Sequence, residues 1–552
     1  MHTMNEKEAN GFAQRMMNMG AHIDWRHGIL GVLLLCTVCW CLFLLGARTL
    51  FLFDRYAYHG DAAFYFTIGK SILNGLTPYR DIFDPKPPGV FIVSAISFFL
   101  VHSHMLGNYL SIIMLLCTPV LFVWMVWNPS SALPPANRLL VRAAGCVAGC
   151  IISLWSSIQA GVWQPESFGN FFALLFIIMY IRGRHHMTLL RTIAASACVL
   201  FAIGSKEPFL LTLFAAAIAI DVRPLSLLRA FFIPLGIALA TGSLVLAALG
   251  WLEPYVSLYL PTIVGIRIQY DVPLWMRGVY FWKTSGALSY SSALLFPSLL
   301  CLFAWRAADI ILSRERVFSQ FFGLVFGAYL SVTAVGLAGN YAMLSYAASL
   351  VPFFTALIFL MLFRMCDPHA KFRLPLMAFG SAVLMAIVWT IPLSRAAPVI
   401  TDQEMSQIDS LTTAAARLDG LLSACEVDRY LYAVNPPQPL LTAYTTHSPL
   451  NHFPYRQIDK ITFGLPFLSK SLERLSQSSI IVTNSEGFVP SDSLGQMLGN
   501  YIQSTFTNES PPCAKDYLPI GDYSVLFRIS PTSISVSEVT DDAGQTRLEF
   551  SY

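Results

Sequence analysis

Three ionisable residues, Asp61, Asp84 and Lys86, fall within one stretch, FDRYAYHGDAAFYFTIGKSILNGLTPYRDIFDPKPPGVF, in which polar residues are concentrated between apolar segments. A carboxylate in such a stretch can deprotonate an attacking hydroxyl or hold a metal, and a cation can neutralise a departing phosphate. Asp61 suits the first task and Lys86 the second, while Asp84 can orient Lys86 or act as a second carboxylate. Such chemistry fits a phosphate carried on a lipid, whose tail stays in hydrocarbon while its head projects into water. The same residues also have plainer uses. Asp61 follows Gly60 and precedes a helical pattern, where it would serve as an N-cap. Lys86 would meet anionic head groups at a membrane edge, and Asp81 and Asp84 are ordinary turn residues.

The elements that must position these groups are legible around them. From Ala62 to Asn74, Phe64, Tyr65, Ile68 and Ile72 fall at helical spacing and Thr67, Lys70, Ser71 and Asn74 take the other face. That pattern predicts an amphipathic helix lying on the membrane surface. Asn74, Gly75, Thr77 and Pro78 then break it. Residues 88–103, after Pro87 and Pro88, form a short apolar run; at about 1.5 Å per residue it reaches only about 24 Å, which suits the interface better than a full crossing.

The rest of the chain is solvated mainly by lipid. Its 552 residues are 55% hydrophobic and only 12% charged, against roughly 25% charged in a soluble domain. A crossing needs about 20 apolar residues, and such segments recur about eleven times (range about 11–13): near 29–50, 106–127, 141–159, 167–182, 188–204, 207–222, 228–250, 286–305, 317–338, 344–364 and 374–393. Arg138 and Arg142, then Arg182, Arg184 and Arg191, then Arg223 and Arg229, then Arg306, Arg314 and Arg316, then Arg364, Lys371 and Arg373 occupy every second loop. The positive-inside rule assigns those loops, and a polar tail over 1–28, to the cytoplasm. The first loop, 51–105, then lies outside, as does everything after 393. Residues 29–393 are therefore read as one transmembrane domain.

From 394 to 552 polar residues become frequent. Runs at Arg429–Val434, Ser479–Thr483 and Tyr523–Ile529 read as strands, alternating with helical stretches at Gln403–Leu422 and Leu465–Leu475. This predicts a small extracytoplasmic α/β domain. Its two cysteines, Cys425 and Cys513, can pair in an oxidising compartment or stay free thiols. A net charge of +3 and the lack of any basic run exclude nucleic acid as a partner, and no paired C-x-x-C spacing marks a metal site.

The order GDAAFY, then a helix, then NGLTPYRDIFDPKPPGVF resembles the GT-C superfamily of integral-membrane glycosyltransferases, particularly the protein mannosyltransferase and aminoarabinose transferase branch. The resemblance implies that Asp61 holds the essential acidic position and Lys86 the phosphate-contacting lysine. In WQPESFGN it puts Glu166 at the outer start of a span, and in SKEPFLL it puts Lys206 near the cavity as a phosphate contact. Either could equally be a membrane-edge charge. Arg267, Arg277 and Lys283, in the outer loop from Trp251 to Ser285, are further cations able to clamp phosphate. GNYAMLSYAASLVPFF is similar to a span that begins with a His-Tyr pair in relatives; here Ser345 and Tyr346 stand there. Relatives also carry an Asp-Glu pair where this chain has Asp61 and Ala62, which favours a metal-independent reaction while leaving a divalent metal open.

The resemblance thus implies an inverting transfer of sugar from a polyprenyl-phosphate donor to an extracytoplasmic acceptor, be it glycan, lipid or protein. The setting would be the lipid bilayer of a bacterial inner membrane. A transporter or flippase is the rival expectation. Transporters concentrate ionisable residues at the midplane on broken helices, often in repeated halves. Here the charges sit at segment ends and no repeat occurs. A receptor using its outer domain would leave the acidic loop without a role.

Overall fold

The computed structural model describes residues 25–53, 61–101, 105–160, 164–268, 290–313, 317–338, 348–367, 380, 402–434, 438–451, 465–484, 493–531, 535–540 and 546–551. Its first part is helical: α1 (Trp25–Phe53), α2 (Asp61–Leu73), α3 (Gly89–Val101), α4 (Met105–Trp127), α5 (Pro135–Ala160), α6 (Pro165–Gly183), α7 (Leu189–Ser205), α8 (Phe209–Ile220), α9 (Pro224–Ala248), α10 (Leu260–Ile268), α11 (Tyr290–Ser313), α12 (Val317–Ala338) and α13 (Val351–Met365). Among the described residues, stretches of α4, α5, α6, α9 and α12 are long and apolar enough to cross a membrane. The protein is an α-helical integral membrane protein with a small C-terminal α/β unit.

Burial follows composition. On α9, Ile237, Leu239, Leu244 and Val245 are exposed, as expected of a face turned to lipid rather than water. The shorter α8 is buried on every side through Leu213, Ala215, Ala216 and Ala217, and it packs against α6, α12 and α13. A 12-residue helix spans about 18 Å, less than the crossing expected for 207–222. The segment expected at 374–393 lies outside the described residues apart from Gly380.

The arginine-bearing ends gather at one end of the bundle. Arg142 and Arg182 stack on Trp127 and Trp124, Arg191 donates to the Arg182 carbonyl, and Arg223 meets both Asp221 and His185. Arg306 bonds Asp309, which also takes Arg364. Glu166 begins α6 whereas Arg182 ends it, so about 24 Å of helix separates the two ends.

The C-terminal part comprises α14 (Asp402–Ala424), β1 (Arg429–Ala433), α15 (Pro439–Tyr444), β2 (Ser448–Pro449), α16 (Leu465–Gln477), β3 (Ile480–Thr483), α17 (Ser493–Thr505), β4 (Phe506–Thr507) and β5 (Ser524–Arg528), with a separate hairpin of β6 (Ser535–Thr540) and β7 (Thr546–Ser551). The five-stranded sheet runs β2-β1-β3-β5-β4, with β1 parallel to β2 and β3, and β5 antiparallel to β3 and β4. Alternation explains its two cores. Tyr430, Tyr432, Ile480 and Val482 pack against Leu418, Leu421 and Leu422 of α14. Leu431, Ala433 and Ile481 face Leu468 and Leu472 of α16 and Tyr501 of α17. Strands covered on both faces read as unbroken apolar runs, which is how β1 and β3 appear in sequence. Cys425 and Cys513 form a disulfide, their Cα atoms 5.3 Å apart.

Candidate functional site

The polar loop between α2 and α3 is built around one tyrosine. Gly75, at φ +85°, lets the chain leave α2, with its N–H bonded to the Ile72 carbonyl. Tyr79 also has a positive φ, 67°, uncommon for a residue with a side chain. Its N–H donates to the Ile82 carbonyl at 2.7 Å, and its hydroxyl donates to the Lys86 carbonyl at 2.9 Å. The fully buried ring of Tyr79 thus spans the loop and fixes the backbone of Lys86. Burial first, then Tyr255, Glu207 and Asp84, push its phenol well above the ordinary range, so the hydroxyl keeps its proton. Asp84 is buried, and its carbonyl accepts the Lys86 N–H at 2.8 Å.

Pro87 and Pro88 then set up α3. Gly89 lies directly on the backbone of Gly204 near the end of α7; a Cβ there would come within 2.4 Å of the Gly204 carbonyl oxygen. This contact brings Lys86 to the end of α7, where Lys206 follows. Lys206 is paired with Glu166 from the first turn of α6, and both side chains are about 4% exposed. Pro165 suits the first position of α6, and the helix N-terminus favours the Glu166 carboxylate. Lys86 acts electrostatically on both members of the pair. Two cations and a carboxylate from three separate segments therefore share one neighbourhood.

A tyrosine cluster closes one flank. Tyr255 and Tyr259, on a π-helical turn leading into α10, stack with centroids 5.0 Å apart, and Tyr79 lies 4.7 Å from Tyr259. The Tyr259 hydroxyl bonds the Glu207 carboxylate. Against this cluster lies an apolar cavity of about 330 Å3, lined by Pro87 and Pro88 of the loop, by Gly89 at the start of α3, by α7 and α9, and by Tyr255 itself. The cavity therefore shares its wall with the residues next to Lys86.

The C-terminal unit covers the other side of α2. Lys70 donates to the Thr442 carbonyl at 2.6 Å, to the Thr445 carbonyl, and to Thr445 Oγ1 at 3.3 Å. Thr67 and Thr442 hydroxyls bond at 3.1 Å, and Asn74 donates to Ser448 Oγ at 2.9 Å. The polar face of α2 is therefore turned to protein rather than to water. Thr67, Lys70 and Ser71 are buried beneath protein: Thr67 and Lys70 find partners in α15 and the turn after it, while the Ser71 hydroxyl donates to the Thr67 carbonyl of its own helix. Burial pushes Lys70 down to about 7, with Asp419 pulling the other way.

Asp61 begins α2, and Arg267 lies in the last turn of α10; the side chains of both fall outside the described set. Arg277, Lys283, Ser345 and Tyr346 lie outside the described residues altogether. Among the described residues no three His, Cys, Asp or Glu side chains converge as a metal site would require. Sequence reasoning passed over Tyr79, Glu207, Tyr255 and Tyr259. Glu207 stands beside Lys206 in the same SKEPFLL segment, but nothing in the sequence marks the left-handed backbone of Tyr79.

No protein-family model matches the chain, and no curated protein does. Among solved structures, ArnT from Cupriavidus metallidurans bound to undecaprenyl phosphate aligns with a TM-score of 0.46. The alignment covers 90% of this chain and 98% of that one, at 12% identity.

Proposed function

We propose that this chain is a membrane glycosyltransferase that moves a sugar, with inversion, from a polyprenyl-phosphate carrier to an acceptor on the non-cytoplasmic side. The observation that carries the reading is the junction of the 330 Å3 apolar cavity with the Lys86, Lys206 and Glu166 cluster. A lipid phosphate needs that combination: hydrocarbon lining for the chain and fixed cations where it ends. The sequence resemblance around Asp61 and Lys86 points the same way.

In this reaction Asp61 takes the proton from the acceptor hydroxyl as its oxygen bonds the anomeric carbon, while the bond from that carbon to the phosphate oxygen breaks. Lys86 meets the charge left on the phosphate, with its backbone already fixed by Tyr79. Lys206, oriented by Glu166, adds a second positive field. Asp84 shapes the loop around Lys86. Arg267, in the last turn of α10, and Arg277 supply further positive charge to the phosphate. The C-terminal unit, docked on α2, covers the acceptor side.

The full-length protein reconstituted with polyprenyl-phosphate sugars, assayed for release of polyprenyl phosphate, tests this. Asp61→Asn and Lys86→Ala should each lower kcat/KM by about 100-fold or more. Unchanged turnover in both variants removes the site assignment.

A further inference from the structure

A second concentration of positive charge lies at the seam between the C-terminal unit and the α2–α3 loop. Arg429 opens β1, and Lys470 and Arg474 stand one turn apart on α16, spacing that puts them on one helix face. Lys470 donates to the Arg80 carbonyl. Arg474 reaches Asp81 at 3.6 Å and Gln477 at 3.4 Å, and Arg429 donates to the Pro449 carbonyl at 2.9 Å. Arg474 thus has one ion pair, long and shared with Arg80, while the contact of Arg429 is to a neutral carbonyl.

The Nε–H groups of both Arg429 and Arg474 are buried and meet no acceptor among the described residues. The acids nearby are already engaged. Asp81 accepts the Thr77 N–H at 2.9 Å and pairs with Arg80, and Glu473 accepts from Gln477 at 3.0 Å. Among the described residues, Arg80, Arg429, Lys470 and Arg474 thus gather around Asp81, with Glu473 and Glu253 as further acids at the edge of the group. Burial, reinforced by the neighbouring Arg474, pushes Arg429 down to about 10. Burying like charges with orphaned donors is costly unless an anion supplies the missing acceptors.

We propose that Arg429, Arg474 and Lys470 form a phosphate-type anion site at this seam. Planar guanidinium forks suit an oxyanion presenting several acceptor oxygens. The occupant is the phosphate of a lipid head group or of a soluble phosphorylated molecule. The site lies against the loop that continues to Asp84 and Lys86, and it stands whether or not the chain transfers sugar.

The test is a calorimetric titration of inorganic phosphate into the full-length protein in phosphatidylcholine nanodiscs. Wild-type protein should bind saturably, and Arg429→Gln with Arg474→Gln should weaken binding at least about tenfold. Asp81→Asn removes the competing carboxylate and should tighten binding about threefold, a gain that misfolding cannot imitate. In nanodiscs containing phosphatidylglycerol, loss of phosphate binding identifies a lipid head group as the occupant, and retained binding identifies a soluble one. Equal affinity in wild type and the double variant, or no change on Asp81→Asn, overturns the proposal.

Discussion

Among the described residues two lysines are buried, Lys70 and Lys206, and each is accommodated differently. Lys206 meets a full opposite charge on Glu166. Lys70 is cradled by two carbonyls and a hydroxyl of the C-terminal unit, with Asp419 adding a weaker pull. A carboxylate can hold a buried ammonium in its charged form, whereas neutral dipoles offset burial only in part. Burial pushes Lys206 down as it does Lys70, but at Lys206 the full charge of Glu166 opposes it, beside Lys86 where a phosphate would need a cation. The Lys70 arrangement fastens one part of the fold to another.

The largest effect that would break this contrast comes from the ion pair. Glu166→Ala leaves Lys206 buried without its counter-charge and should destabilise the protein by about 3–5 kcal/mol, read as a lower Tm in detergent. Glu166→Gln combined with Lys206→Met should recover most of that loss. A single variant as stable as wild type would show that the pair is not an anchor. A smaller effect separates the two neighbourhoods. Gly89→Ala forces a Cβ onto the Gly204 carbonyl and should cost about 1–3 kcal/mol. Hydrogen exchange should quicken around 86–92 and 200–206 while residues 67–73 stay protected; quickening at both would mean the regions are one cooperative unit.

The smallest effect sharpens the contrast by pH. Between about 7 and its ordinary 10.5, Lys70 keeps its proton in the unfolded chain and releases it in the folded one. Stability therefore rises with pH across that window, by at most about 1.4 kcal/mol per pH unit. Lys70→Met should flatten the slope, measured as denaturant midpoint from pH 7 to 9. A slope unchanged by that substitution would place the titration elsewhere.

Much of this was legible beforehand. The strands expected at Arg429–Val434 and Ser479–Thr483 occur as Arg429–Ala433 and Ile480–Thr483, because unbroken apolar runs bounded by turns have few alternatives. Residues 88–103 hold the 13-residue α3, too short for a crossing, as its length suggested. Lys206 and Glu166 were visible as charges at span ends, but their pairing joins positions 40 residues apart. Tyr79 and the π-helical turn at Tyr255 were missed, since backbone conformations of that kind arise where the surrounding packing supports them.

By itself the sequence determined which segments seek lipid, where they end, and that a polar loop with two prolines interrupts them. Those are local matters of hydropathy, turn chemistry and chain length. Only the tertiary structure decided that Gly89 seats Lys86 beside Lys206, and that the polar face of α2 is roofed by Thr442 and Thr445 rather than by water. Periodicity separates the two faces of a helix, but what covers each face depends on residues hundreds of positions away.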